Sequence, residues 1–144
     1  MKLIIQRVKK ASVIVENKLV GKIGQGMLIF VGIENKDSDN QTAKKMAEKV
    51  LKLRIFSDTN DKMNLSVTDI KGEILVVSQF TLIADTSGGN RPFFGNAAPP
   101  EIAEPVLNTF IEELKKSGLN IQTGKFGAKM QIDLTNDGPV TIIL

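Results

Sequence analysis

This chain of 144 residues contains no cysteine, histidine, tryptophan or tyrosine; its only aromatic residues are seven phenylalanines. Without cysteine there is no disulfide framework, thiol nucleophile or thiolate metal site. Without histidine there is no Ser-His-Asp or Cys-His relay, no imidazole base and no ordinary zinc site. An all-carboxylate magnesium site stays open in principle, but the acids are scattered. The one dense polar cluster, Asp58-Thr59-Asn60-Asp61, lacks the Gly and Glu spacing of a calcium loop and reads as a surface turn. No metal and no cofactor are expected. Long apolar runs are also missing. The opening Met1-Lys2-Leu3-Ile4-Ile5-Gln6-Arg7 meets charge too early for a signal peptide, and no segment is long enough to span a membrane. A cytoplasmic protein without membrane contact is the default expectation.

What is present is ordinary for a globular chain: 42% hydrophobic and 24% charged residues, with a formal net charge of +3. The length suits one domain with a real core. Lys44, Lys45, Lys49 and Lys52 fall along one side of a helix and read as a solvated face. The charge is too small and too spread to demonstrate nucleic-acid binding, although it permits a weak attraction.

Residues 3–15 alternate through Leu3, Ile5, Arg7, Val13 and Val15, the period of a half-buried strand. Glu16-Asn17-Lys18 is a turn, Leu19 to Ile23 a short return strand, and Met27 to Ile33 a continuous apolar strand buried on both faces. Asp37 to Asn40 offers helix caps before the stripe Ala43, Met46, Ala47, Val50, Leu51 and Arg54. Leu65 to Thr68 is ambiguous, and Gly72 to Leu82 reads as a strand. The irregular stretch from Ala84 to Pro100 is of a length usually functional or mobile. A second helix starts at Pro99-Pro100-Glu101, buries Ile102, Val106, Leu107, Phe110, Ile111 and Leu114, and tolerates Pro105 in its first turns. Strands return around Ile121, at Met130 to Leu134 and at Val140 to Leu144. The whole, residues 1–144, reads as one α/β domain of roughly seven strands and two long helices.

Two polar segments stand out against this background. Ser78-Gln79-Phe80-Thr81-Leu82 ends the apolar run Ile74 to Val77. Asn136-Asp137-Gly138-Pro139-Val140-Thr141 links the last two alternating runs. Hydroxyl and amide side chains at a strand end suit a rigid binding site. Alone, the second segment is a turn signal, and Ser78 and Thr81 would be strand-end residues bonding to nearby backbone. Arg7 would be an edge-strand surface charge, and Phe126 and Met130 core.

Together the two segments resemble the hallmarks of the D-aminoacyl-tRNA deacylase family, Ser-Gln-x-Thr-Leu and Asn-x-Gly-Pro-Val-Thr. Gln6-Arg7-Val8, Gly89-Asn90-Arg91-Pro92 and Phe126-Gly127-Ala128-Lys129-Met130 extend the likeness nearly end to end. The chain departs from the family pattern in the long loop, with Gly at 89 and Phe at 93. The resemblance implies a three-layer α/β/β fold and a homodimer with its active sites at the interface. It implies hydrolysis of the ester joining a D-amino acid to the 3′-terminal adenosine of tRNA, with glycyl-tRNA also vulnerable. The catalytic segment would be Ser78, Gln79, Phe80 and Thr81, with the amides of Phe80 and Thr81 stabilising the oxyanion. Gly138 and Pro139, joined by a cis peptide, would enter the partner subunit's site and reject L-aminoacyl groups. Arg7 would brace that loop, and Phe126, Met130, Asn136 and Thr141 would support the pocket. Two alternatives remain: a related deacylase with a trans Gly-Pro acting on mischarged L-aminoacyl-tRNA, and a non-enzymatic tRNA-binding module. Ser78 before Gln79 favours the D-selective branch.

Overall fold

The computed structural model describes residues 1–144. Strand β1 (Lys2–Val15) is the spine. β2 (Lys18–Ile23) and β3 (Gly26–Gly32) return antiparallel along one of its edges. Ala11 stands opposite Ile23 and Val8 opposite Gly26, so β2 and β3 are two halves of one bent strand in one register. β6 (Glu73–Ser78) runs parallel to β3, and β7 (Ile121–Thr123) parallel to β6. β8 (Gln131–Ile143) covers the other edge of β1. A small hairpin of β4 (Phe56–Ser57) and β5 (Met63–Leu65) stands apart. Its connection is the Asp58 turn: the Asp58 carboxylate accepts from the Asn60 and Lys62 amides at 2.8 and 3.1 Å.

Two cores lie on the two faces of this sheet. On one face Leu3, Ile5, Met27, Ile29, Val31, Ile74 and Val76 meet the helices α1 (Gln41–Lys52) and α2 (Pro100–Lys115). α1 contributes Ala43, Ala47 and Val50; α2 contributes Val106, Leu107, Phe110, Ile111 and Leu114. Burying Phe110 completely stabilises the fold by about 2–3 kcal/mol. On the other face the sheet curls, so that Val8, Ala11, Val13, Val15 and Ile23 pack on Leu28, Leu75 and Val77. Helices, sheet and curled-over strands form three layers, α/β/β, as expected. The alternating burial of β3 and β6 between the two cores explains their unbroken apolar runs.

Three readings of the sequence are corrected. The odd-numbered apolar residues of β1 do not share one face. Lys9 is an extra residue opposite β8 (Val8 pairs with Asn136, and Lys10 with Thr135), and both Lys9 and Lys10 are exposed. Such a bulge exchanges the two faces of a strand, so Ala11, Val13 and Val15 enter the second core. The strand read through Leu82 ends at Ser78, and Phe80–Ile83 form one turn of 3-10 helix. The segment from Asn136 to Thr141 is not a hairpin turn, because β8 continues through it. Val8 pairs with Asn136 and Gln6 with Thr141, so the four residues 137–140 stand opposite Arg7 alone.

Candidate active site

A cleft of about 560 Å3 opens where β3 and β6 end and α2 begins. β6 carries Ser78 into its wall, and the chain then turns sharply. The Gln79 amide donates to the Val31 carbonyl at 2.8 Å, which holds the turn to the sheet. Phe80 and Thr81 are the first two residues of the 3-10 turn. Their N–H groups have no partner within that turn, since the first donors of any helix lack one. The Phe80 ring is mostly exposed and meets Phe94 edge-on, with centroids 5.0 Å apart. Phe94 belongs to the long loop, which is closed by paired backbone hydrogen bonds of 2.8 Å between Asp85 and Phe93. The Asp85 carboxyl is held below its usual range by the backbone and hydroxyl donors of Ser87. The Thr81 hydroxyl receives the Gln79 side-chain amide and no basic group.

The opposite wall is Phe126, Gly127, Ala128 and Met130, and Ala98, Pro100 and Ala103 close the end. Phe126 also packs on the helix-side core and Met130 on the other, so both are core and pocket wall at once. No lining residue is ionisable. What the lining offers is apolar surface, the Ser78 hydroxyl, the Gln79 carboxamide and backbone dipoles.

The second segment is elsewhere. Asp137–Val140 bulge from the edge strand, with Gly138 at φ +126° and a cis Gly138-Pro139 peptide. Arg7, 9% exposed, fastens the bulge. Its Nε donates to the Asp137 carbonyl at 2.9 Å and lies 3.4 Å from the Asp137 carboxylate; its Nη1 donates to the Ile55 carbonyl at 2.6 Å. The Thr141 hydroxyl donates to Gln6 at 2.7 Å beside it, and Asn136 is exposed on the ladder. Ser78 is level with Val31 and Leu3, whereas Arg7 is level with Met27 and Ile74. The two segments are therefore four residues apart along the strands and three strands apart across them. Of the sequence-predicted site residues, Ser78, Gln79, Phe80, Phe126 and Met130 share the cleft, with Thr81 adjacent. Arg7, Asn136, Gly138, Pro139 and Thr141 form a second cluster. Ala98, Pro100 and Ala103 were missed as pocket residues, although the Pro-Pro pair after the long loop marks where a helix starts beside it.

A curled sheet whose strand end and helix start enclose an uncharged cleft defines the class of this α/β/β domain. The sequence profile of D-Tyr-tRNA(Tyr) deacylase matches residues 4–144, and the chain belongs to that family. Proteins named D-aminoacyl-tRNA deacylase from Thermosipho africanus and Flavobacterium psychrophilum are 51% and 55% identical to it. Each alignment covers all of this chain and 96% of the relative. Among solved structures, c-Myc DNA Unwinding Element Binding Protein superposes with a TM-score of 0.91 at 45% identity, covering 100% of this chain and 97% of the other. A structure described as a probable eukaryotic D-amino acid tRNA deacylase shares the fold, with a TM-score of 0.84 at 16% identity over 99% of this chain and 97% of the other.

Proposed function

We propose that this protein, a hydrolase of the D-aminoacyl-tRNA deacylase class, cleaves the ester between a D-amino acid and the terminal ribose of tRNA. The observation that carries this reading is the cleft itself: Phe80, the first residue of a 3-10 turn, stands in its wall with Thr81 next to it, and no ionisable side chain lines it. An aminoacyl ester is already activated, so it needs a polarised carbonyl and a placed water more than a strong base. The N–H groups of Phe80 and Thr81 receive the carbonyl oxygen as it gains negative charge, a contribution worth about 3 kcal/mol per donor where measured. Water adds to the carbonyl carbon, the ribose oxygen leaves and takes up a proton, and the neighbouring ribose hydroxyl assists that transfer. The products are free D-amino acid and tRNA. Ser78 and Gln79 shape the pocket, and Phe126 and Met130 receive the terminal adenosine.

The Gly138-Pro139 bulge supplies chirality from a second copy of the chain. None of its residues is among those that line the cleft of its own chain. It also projects from an edge strand whose Leu134 and Ile143 are exposed, and an uncovered edge of thirteen residues invites pairing with another chain. Backbone carbonyls at Gly138 and Pro139 crowding the substrate Cα exclude any L side chain and leave D side chains directed to solvent. Rejection by a clash is insensitive to side-chain identity. Matched D- and L-tyrosyl-tRNA test the reading. The D form is expected to be hydrolysed, the L form spared and glycyl-tRNA partly attacked. Equal turnover of D and L would contradict it, and binding without release of amino acid would leave only a tRNA-binding module.

A further inference from the structure

We propose that the polar hollow on the far side of Phe126 is a second nucleotide subsite, which takes the cytidine preceding the terminal adenosine of the tRNA 3′ end. This rests on the deacylase reading above. The hollow, about 190 Å3, lies between α2 and the β6–β7 edge, and Ser78 and Phe126 are walls of both it and the main cleft. A single strand that leaves the cleft past Phe126 enters it directly. The two spaces differ in chemistry. The main cleft has no ionisable lining, whereas the hollow presents Glu104, Asn108 and Thr123.

Those groups complement a cytosine edge. A carboxylate accepts from the cytosine N4 amino group, and a carboxamide donates to N3 or O2. Uracil carries a carbonyl where cytosine carries the amino group, and would set oxygen against the Glu104 carboxylate. The size of the hollow admits one pyrimidine ring. Cations are placed for the linking phosphates: Lys125 and Lys129 are exposed on either side of Phe126, Gly127 and Ala128. None of the chain's ion pairs uses Glu104, Lys125 or Lys129, whereas Lys115 and Lys116 are each held by a glutamate. An aromatic ring between free cations is how single-stranded nucleic acid is held without a duplex.

D-Aminoacyl esters of adenosine, CpA and UpA separate this subsite from the cleft. The kcat/KM for the CpA ester is expected to exceed that of the other two by on the order of tenfold. Glu104→Gln, whose carboxamide can donate to the uracil carbonyl, should bring CpA and UpA to within about threefold of each other. Replacing Lys125 and Lys129 together by alanine should reduce the advantage of CpA over adenosine and flatten its dependence on salt. Equal turnover of the three esters by the unaltered protein would overturn the subsite and leave the deacylase reading standing. Hydrolysis of none of them would overturn both. Full retention of the CpA preference by Glu104→Gln would remove the base from this hollow.

Discussion

Ser78–Leu82 ends a strand buried on both faces and meets a walled cleft, whereas Asn136–Thr141 bulges from an edge strand with most of its residues exposed. Each is a short polar interruption of an apolar run, and each is held rigidly: the first by the Gln79 amide on Val31, the second by Arg7. The first has an apolar enclosure to act in. The second has anchoring, and none of its residues lines the cleft or the hollow beside it. A rigidly braced bulge on an open sheet edge fits the proposal that it is offered to a second copy of the chain, in which case the two segments of one chain serve two different sites.

That contrast can be broken most forcefully at the bulge. Gly138 sits at φ +126°, and a Cβ there would lie 3.0 Å from the Val140 amide nitrogen and 3.1 Å from Arg7 Nη2. Gly138→Ala should displace the bulge and lower kcat/KM on D-aminoacyl-tRNA by about a hundredfold or more, the usual cost of an ångström-scale misplacement. Light scattering should show the same assembly before and after.

Arg7→Ala comes next. It leaves the Ile55 and Asp137 carbonyls and a carboxylate without their shared donor, and should destabilise the fold by about 3 kcal/mol in urea unfolding. Arg7→Lys should recover only part of this, since an ammonium cannot reproduce the planar fork that spans both acceptors.

The cleft should respond more mildly to loss of a side chain. Thr81→Ala is expected to cost less than the roughly hundredfold that removing a general base costs, because the proposed donor is the backbone and the hydroxyl faces only the Gln79 amide. Trapping an aminoacyl-Thr81 species would overturn this.

The smallest effect lies at the opposite end of β6. Side-chain donation from Asn120, then the Gly24 amide, holds the Glu73 carboxyl below its ordinary range. A depressed carboxyl stabilises the fold above its unfolded pKa of about 4.5, and that contribution disappears as pH falls through the lower folded value. The stability difference between the parent and Glu73→Gln should therefore shrink on acidification below about pH 4.5, a trend that stepwise urea titrations would reveal.

Much of this was legible in the sequence wherever one physical rule dominated. The continuous apolar runs of β3 and β6 announced burial on both faces, and the three-to-four spacing of Val106, Phe110 and Leu114 announced α2. The bulges were not legible. Lys9 exchanges the faces of β1 as the residue left unpaired opposite β8, a strand more than a hundred residues away. The same long-range pairing turned an apparent hairpin at Gly138-Pro139 into a projection from a continuous strand. For the site, the motif residues were readable by resemblance, but the apolar end wall of Ala98, Pro100 and Ala103 carries no motif. The separation of the two segments appears only once the register is known.

Complementation between two damaged proteins tests the two-chain site most directly. Ala128→Trp fills the cleft, and Gly138→Ala misplaces the bulge. Each alone should be nearly inactive. Unfolded together in equal amounts and refolded, half of the dimers pair one chain of each kind. Such a dimer has one site with both defects and one with neither, so about a quarter of parental activity should return. No recovery, with mixed dimers present, would mean that each chain's bulge serves its own cleft and would contradict the account.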